Sequence, residues 1–139
     1  MALLPRKGLL AIAAVIDVAL HGKNQPVSAK VLADRHRLPA RHLEPVLQAL
    51  VRDGILKGIR GPRGGYELAR ERRRITADDI LRAASTGEDE GSLSSSSDLL
   101  KEVVQPTLAQ AERVFSAALR AINLDDLARR AEPYRNRTH

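Results

Sequence analysis

The chain has 139 residues, 23 Lys and Arg against 17 Asp and Glu, three aromatic side chains and no cysteine. That length implies one compact unit with an aliphatic core, and the missing cysteines exclude disulfides, thiolate zinc sites, cysteine nucleophiles and thiolate-held iron–sulfur clusters. The formal charge of +6 is unevenly placed: residues 1–76 hold 15 basic and 6 acidic side chains, residues 77–139 hold 8 and 11, so the basic front suits a polyanion and the acidic back another task.

Residues 1–20 superficially mimic a secretory signal, with Arg6 and Lys7 ahead of the apolar run 9–16. Asp17 ends that run well below the ~20 residues a bilayer needs, so a buried helix and a cytoplasmic protein are expected. Leu9, Ile12, Ala13, Ile16 and Leu20 recur at helical spacing, and Val15 and Val18 make the opposite side apolar too, which predicts burial on two faces. Gly22 stops this helix. Ser28 is placed to cap a short second helix over Ala29–Arg35, with Val27 stapled onto Leu32.

A turn through His36 leads to a third helix that ends at Asp53 before Gly54. Leu43, Val46, Leu47, Leu50 and Val51 form its apolar stripe; Arg41, Glu44, Gln48 and Arg52 share the other side, with His42 at the edge. Because proline is tolerated only in a first turn, Pro45 predicts a start near Arg41 or His42 and a shortened helix. Next, Ile55, Leu56 and Ile59, then Tyr66 and Leu68, flank the tip Arg60-Gly61-Pro62-Arg63-Gly64-Gly65, which predicts a β-hairpin. Thr76 to Asp79 cap a fourth helix carrying Ile80, Leu81 and Ala84. Residues 87–97 are acidic and serine-rich, a loop by composition. Residues 98–122 carry an amphipathic stripe of Leu100, Val104, Leu108, Ala111, Phe115, Leu119 and Ile122, a helix of about 37 Å that Pro106 should kink or start. Asn123 can cap a last short helix to Ala131, and residues 132–139 are expected to fray.

Short helix, turn, helix with a polar outer face, then a glycine-tipped hairpin is the order of a winged helix-turn-helix. The major groove admits one α-helix; arginine can read guanine and glutamine adenine there, although a solvated charged face would look the same. Arg60 and Arg63 on a narrow tip suit a minor groove or a row of phosphates, against the alternative of a plain tight turn. A GxxG or RGG contact to single-stranded RNA is a weaker reading, since such binders need stacking aromatics. There is no Ser/His/Asp set, phosphate-binding loop, dinucleotide fingerprint or paired acid–base carboxylate, so an enzyme is not expected.

The segments His42-Leu43-Glu44, the run to Gly54, and Arg60-Gly61-Pro62-Arg63-Gly64-Gly65-Tyr66-Glu67-Leu68 resemble the Rrf-two family of bacterial transcriptional regulators, the group of the IscR, NsrR, RirA and CymR repressors. Arg6-Lys7-Gly8 through Leu20 is similar to its first helix and residues 75–84 to its fourth. The resemblance implies a mainly α protein: a winged helix-turn-helix over 1–86, a loop at the family's sensor position over 87–97, and a dimerisation helix with a short terminal helix over 98–131. It implies a homodimer joined through the long helix, a palindromic operator in double-stranded DNA, recognition helices in successive major grooves and wing arginines in the minor groove. The carry-over assigns DNA contact to Ser28, Arg41, His42, Glu44, Gln48, Arg60, Gly61, Arg63 and Gly64. Relatives usually have glycine where this chain has Arg63, which adds a phosphate contact.

Many relatives hold an iron–sulfur cluster on three cysteines of the sensor loop; here that stretch offers only serines and Glu88, Asp89, Glu90 and Asp98. No cluster, other cofactor or metal is therefore expected, since acidic loops mostly attract water. His21, His36, His42 and His139 show no paired ligand spacing. The expected function is a homodimeric repressor without a cluster, answering to a small-molecule or protein effector; the alternative is an interaction module derived from such a regulator, with weak or no DNA binding.

Overall fold

In a computed structural model of the chain, residues 4–23, 25–85 and 97–135 are described. Helices α1 (Arg6–His21), α2 (Ala29–Arg35) and α3 (Ala40–Arg52) precede the strands β1 (Leu56–Ile59) and β2 (Gly65–Leu68); α4 (Ala77–Ser85), α5 (Gln105–Arg120) and α6 (Leu124–Ala131) follow. No helix among the described residues is long and apolar enough to cross a membrane.

The core face of α1 is Ala11, Ala14, Val15 and Val18, with Leu20 close behind. The stripe of Leu9, Ile12 and Ile16 lies outside it: Leu9 is exposed, and Ile12 and Ile16 are only half-buried against the core rim. Of the two apolar faces, the one rich in alanine faces inward, because small side chains let neighbouring helices approach. Val27 and Leu32 are both buried, as the staple requires. Ser28 Oγ accepts the Val31 N–H at 3.1 Å, the expected cap of α2. Arg37 then takes a left-handed conformation (φ 55°) and the Leu38 N–H closes the turn onto the Ala33 carbonyl at 2.9 Å.

α3 is not shortened. It starts at Ala40 and runs 13 residues, with Pro45 in the sixth position rather than the first turn. The lost bond is the one Pro45 would have donated to the Arg41 carbonyl. Pro45 and Arg41 are both exposed, so that carbonyl can be met by solvent. Leu43, Val46, Leu47 and Leu50 on the opposite side are almost wholly buried and hold the helix in place.

The hairpin pairs Leu56 with Leu68, Lys57 with Glu67, Gly58 with Tyr66 and Ile59 with Gly65. Tyr66 also exchanges two backbone bonds with Val27, at 2.8 and 3.0 Å, tying the wing to the segment ahead of α2. That approach explains Gly65, and the hairpin's own backbone explains Gly64. A Cβ on Gly65 would lie 2.5 Å from the backbone carbon and oxygen of Val27, and one on Gly64 would lie 2.1 Å from the Ile59 carbonyl oxygen.

Thr76 and Asp79 form a reciprocal capping box at α4: each side chain accepts the other's backbone N–H at 3.0 Å. The sensor-position loop and its carboxylates Glu88, Asp89 and Glu90 fall within 86–96, outside the described residues. The long helix forms, and Pro106 shapes it. A π-helical turn over Leu100–Val104 precedes α5, with the Gln105 N–H bonded to the Leu100 carbonyl five residues back. The wider turn relieves the clash a proline ring makes with the carbonyl four residues before it.

Asn123 caps α6 through the Asp126 N–H at 2.9 Å. Backbone bonds from Ala77 N–H to the Ile122 carbonyl (2.8 Å) and from Leu124 N–H to the Ile75 carbonyl (2.7 Å) clamp the end of the long helix onto the start of α4. Leu124 thereby enters the same core cluster as α1–α4. Of the stretch expected to fray, residues 132–135 dock on α1. Arg135 Nη1 donates to the Leu20 carbonyl at 2.6 Å, and His21 Nε2 donates to the Arg135 carbonyl at 2.9 Å; residues 136–139 lie outside the described residues.

Candidate nucleic-acid interface

α3 presents Arg41, His42, Glu44 and Gln48 outward, all exposed, because its buried leucine and valine stripe fixes the rotation of the helix. The wing carries Arg60, Gly61 and Arg63 on its exposed tip. Ser28, Arg63 and Gly64 come together on the walls of one open groove of about 550 Å³ between the wing tip and the start of α2. His21 and Arg35, which sequence reasoning did not place there, line the same groove. Arg60 and Gly61 are not among its lining residues. The Tyr66 hydroxyl is held above its ordinary pKa by burial and by the Glu44 carboxylate.

Pairing separates the basic residues into two groups. The run after the wing is spent inside the chain: Arg72 and Arg73 lie 3.7 and 3.9 Å from Asp125, Arg74 4.0 Å from Glu71, and Arg70 3.7 Å from Asp79. Among the described residues Arg41, Arg60 and Arg63 have no ion pair and no side-chain hydrogen bond. These three guanidiniums, like that of Arg52 at the end of α3, are left to meet an anion from outside, while Arg72 and Arg73 reach Asp125 of α6.

One constellation was not read from the sequence. Asp17 is only 6% exposed. It accepts from Arg35 Nε at 2.9 Å and Nη2 at 2.7 Å and from His36 Nε2 at 3.1 Å, and His21 Nδ1 lies 3.2 Å away. Burial pushes its carboxyl pKa up, but the His36 and Arg35 hydrogen bonds and the Arg35 and His21 charges outweigh it, holding the pKa at about 2. An acidic residue inside an apolar helix signals a buried cation partner, yet those partners stand 18 and 19 positions away, beyond any local pattern. This cluster anchors the groove wall by fixing α2 on α1.

The long-helix stripe splits by environment. Leu100, Val104 and Leu119 are half-buried, and Ala111 is exposed. Leu108, Phe115 and Ile122 leave 62%, 37% and 39% of their surface open, joined by Val114 and Leu99, which were not assigned to the stripe. A row of large apolar side chains without cover in a single chain is the kind of surface that partners bury.

No group of three His, Asp or Glu side chains among the described residues is arranged to hold a metal. The chain has no cysteine anywhere, so the donor set does not fit a thiolate-held cluster. A sequence model of the Rrf2 family, described as iron-dependent transcriptional regulators, matches residues 4–130. The HTH-type transcriptional regulator IscR of Xenorhabdus nematophila is 34% identical over 86 residues, which are 62% of this chain and 52% of that protein. The chain thus spans about half the length of the curated relatives it matches. Among solved structures, IscR of T. potens is 33% identical with a TM-score of 0.71, covering 94% of this chain and 89% of that one. CymR, the global cysteine regulator of B. subtilis, is 29% identical with a TM-score of 0.66, covering 90% and 95%.

Proposed function

The chain belongs to the Rrf2 family of transcriptional regulators, and on that premise we propose that it is a homodimeric repressor that binds a palindromic operator in double-stranded DNA and needs no iron–sulfur cluster. The observation that carries the reading is the set of exposed, unpaired guanidiniums of Arg41, Arg60 and Arg63 beside the polar face of α3. α3 lies in the major groove with Arg41, His42, Glu44 and Gln48 toward base edges. The wing lays Arg60 and Arg63 on the backbone or in the adjacent minor groove, and Gly61 and Gly64 let the tip approach closely. Ser28, beside Arg63 in the groove, donates its hydroxyl hydrogen to a phosphate oxygen while its oxygen still caps α2.

The open row of Leu108, Phe115 and Ile122 packs on its counterpart in a second copy, which sets two recognition helices at symmetric half-sites. Without thiolates, regulation comes from an effector other than a cluster, a small molecule or a protein. The protein acts where the chromosome is, in the cytoplasm, and performs no catalysis.

Selection of duplexes from a random pool, followed by binding titrations in increasing salt, tests this. With about 6–10 phosphate contacts, affinity should fall about 10³–10⁵-fold between 50 and 200 mM salt. Since each copy in the dimer supplies one such contact, Arg60→Ala and Arg63→Ala should each lower the slope of log K against log salt by about two. A selected pool with no enriched sequence, or affinity indifferent to salt, overturns the proposal.

A further inference from the structure

Arg41, Pro45, Gln48 and Arg52 are spaced i, i+4, i+7 and i+11 and are all exposed, so Pro45 sits at the middle of the outward line of α3 rather than at its start. Sequence reasoning treated it as a boundary marker. A proline in a helix interior forfeits a backbone bond and is the least favourable residue there. At an exposed position it gains no core packing in exchange, and nothing in the isolated chain accounts for it. Resting on the reading that α3 enters the major groove, we propose that Pro45 is a specificity-determining residue whose ring packs on the C5-methyl group of a thymine in each half-site.

The chemistry follows from what each edge offers. Arg41 and Gln48 on either side carry donors and acceptors, which suit guanine and adenine. The pyrrolidine ring has neither, and facing a purine edge or a cytosine amino group it would leave those polar groups desolvated and unpaired. The one apolar feature on the major-groove edge of a base pair is the thymine methyl. The ring is also rigid, so holding it against that methyl costs no side-chain rotamer freedom. Pro45 thus reads by exclusion as well as by contact, between two residues that read by hydrogen bonding.

The test starts from duplexes selected with the full chain. Each thymine of the enriched half-site is replaced in turn by uracil, which removes only the methyl. At one position, uracil should weaken binding by about four-fold, the worth of one buried methyl group. In Pro45→Gln that sensitivity should disappear, and selection should shift the same position from thymine to adenine. Pro45→Ala, which restores a good helix former, should lose most of the methyl effect while its helix content and melting temperature stay equal or rise. A uniform loss of affinity in Pro45→Ala with the uracil effect intact would show a merely structural proline and overturn the inference. So would uracil tolerance at every position of the half-site. Failure to enrich any sequence would overturn the DNA-binding reading itself, whereas an enriched but methyl-blind site overturns only the role of Pro45.

Discussion

Replacing Asp17 by asparagine keeps the shape of the side chain and removes its charge, leaving Arg35 and His36 without the carboxylate that joins α1 to α2. The carboxyl pKa falls from 3.8 to about 2 in the folded chain, and at 1.36 kcal/mol per pKa unit this is about 2 kcal/mol of stability at neutral pH. Losing one partner of a fully buried pair costs about 3–5 kcal/mol, but Arg35 is 24% exposed and can turn to water, so the lower figure applies. With an unfolding entropy of about 2.1 cal/mol/K per residue, Asp17→Asn should lower the melting temperature by about 7 °C at equal protein concentration. The pH dependence has a definite sign. A folded pKa below the unfolded one means the unfolded chain binds more protons, so this contribution is complete above about pH 4 and is lost as pH falls toward 2. Urea titrations of both proteins from pH 7 down to pH 2 should therefore show a gap that closes in acid. Equal stability at pH 7, or a gap of constant size down to pH 2, would refute the reasoning.

Two further perturbations probe other joints. Phe115→Glu places a charge in the open apolar row of α5, so sedimentation should show a dimer for the parent chain and a monomer for the variant; a monomeric parent would remove the dimer from the account. Gly65→Ala puts a Cβ 2.5 Å from the Val27 backbone, which must push β2 off the segment ahead of α2. Its affinity for a selected duplex should drop at least ten-fold, and because Val27 belongs to the core and Tyr66 packs on it the melting temperature should fall as well; unchanged affinity would mean the wing's seating on Val27 is irrelevant to binding.

Local signals in this sequence translated directly into structure. The Ser28 and Asn123 caps, the Thr76–Asp79 box and the glycine-rich hairpin tip are each decided within a few residues, and each stands where the pattern placed it. Two kinds of feature did not translate. Pro45 obeyed the wrong rule, because the burial of Leu43, Val46, Leu47 and Leu50 holds α3 straight through a proline that propensity alone would place at its start. Non-local pairing was invisible: nothing near Asp17 announces Arg35 and His36, and nothing in the run Arg72–Arg74 announces Asp125. The charge skew of the front half therefore divides in a way composition does not show. Part of it pairs with Asp125 of α6, and the part without a partner among the described residues includes Arg41, Arg60 and Arg63. The absent cysteines, legible from the first line, leave this chain no thiolate to hold a cluster.

The central claim is that two copies of α3 and the wing grip one stretch of duplex. A hydroxyl-radical footprint on a selected palindromic duplex tests it most directly. The account predicts two symmetric protected segments about one helical turn (10–10.5 base pairs) apart, with protection at the wing-facing flanks lost in Arg60→Ala and Arg63→Ala. No protection, or a single asymmetric segment that both variants leave unchanged, would contradict it.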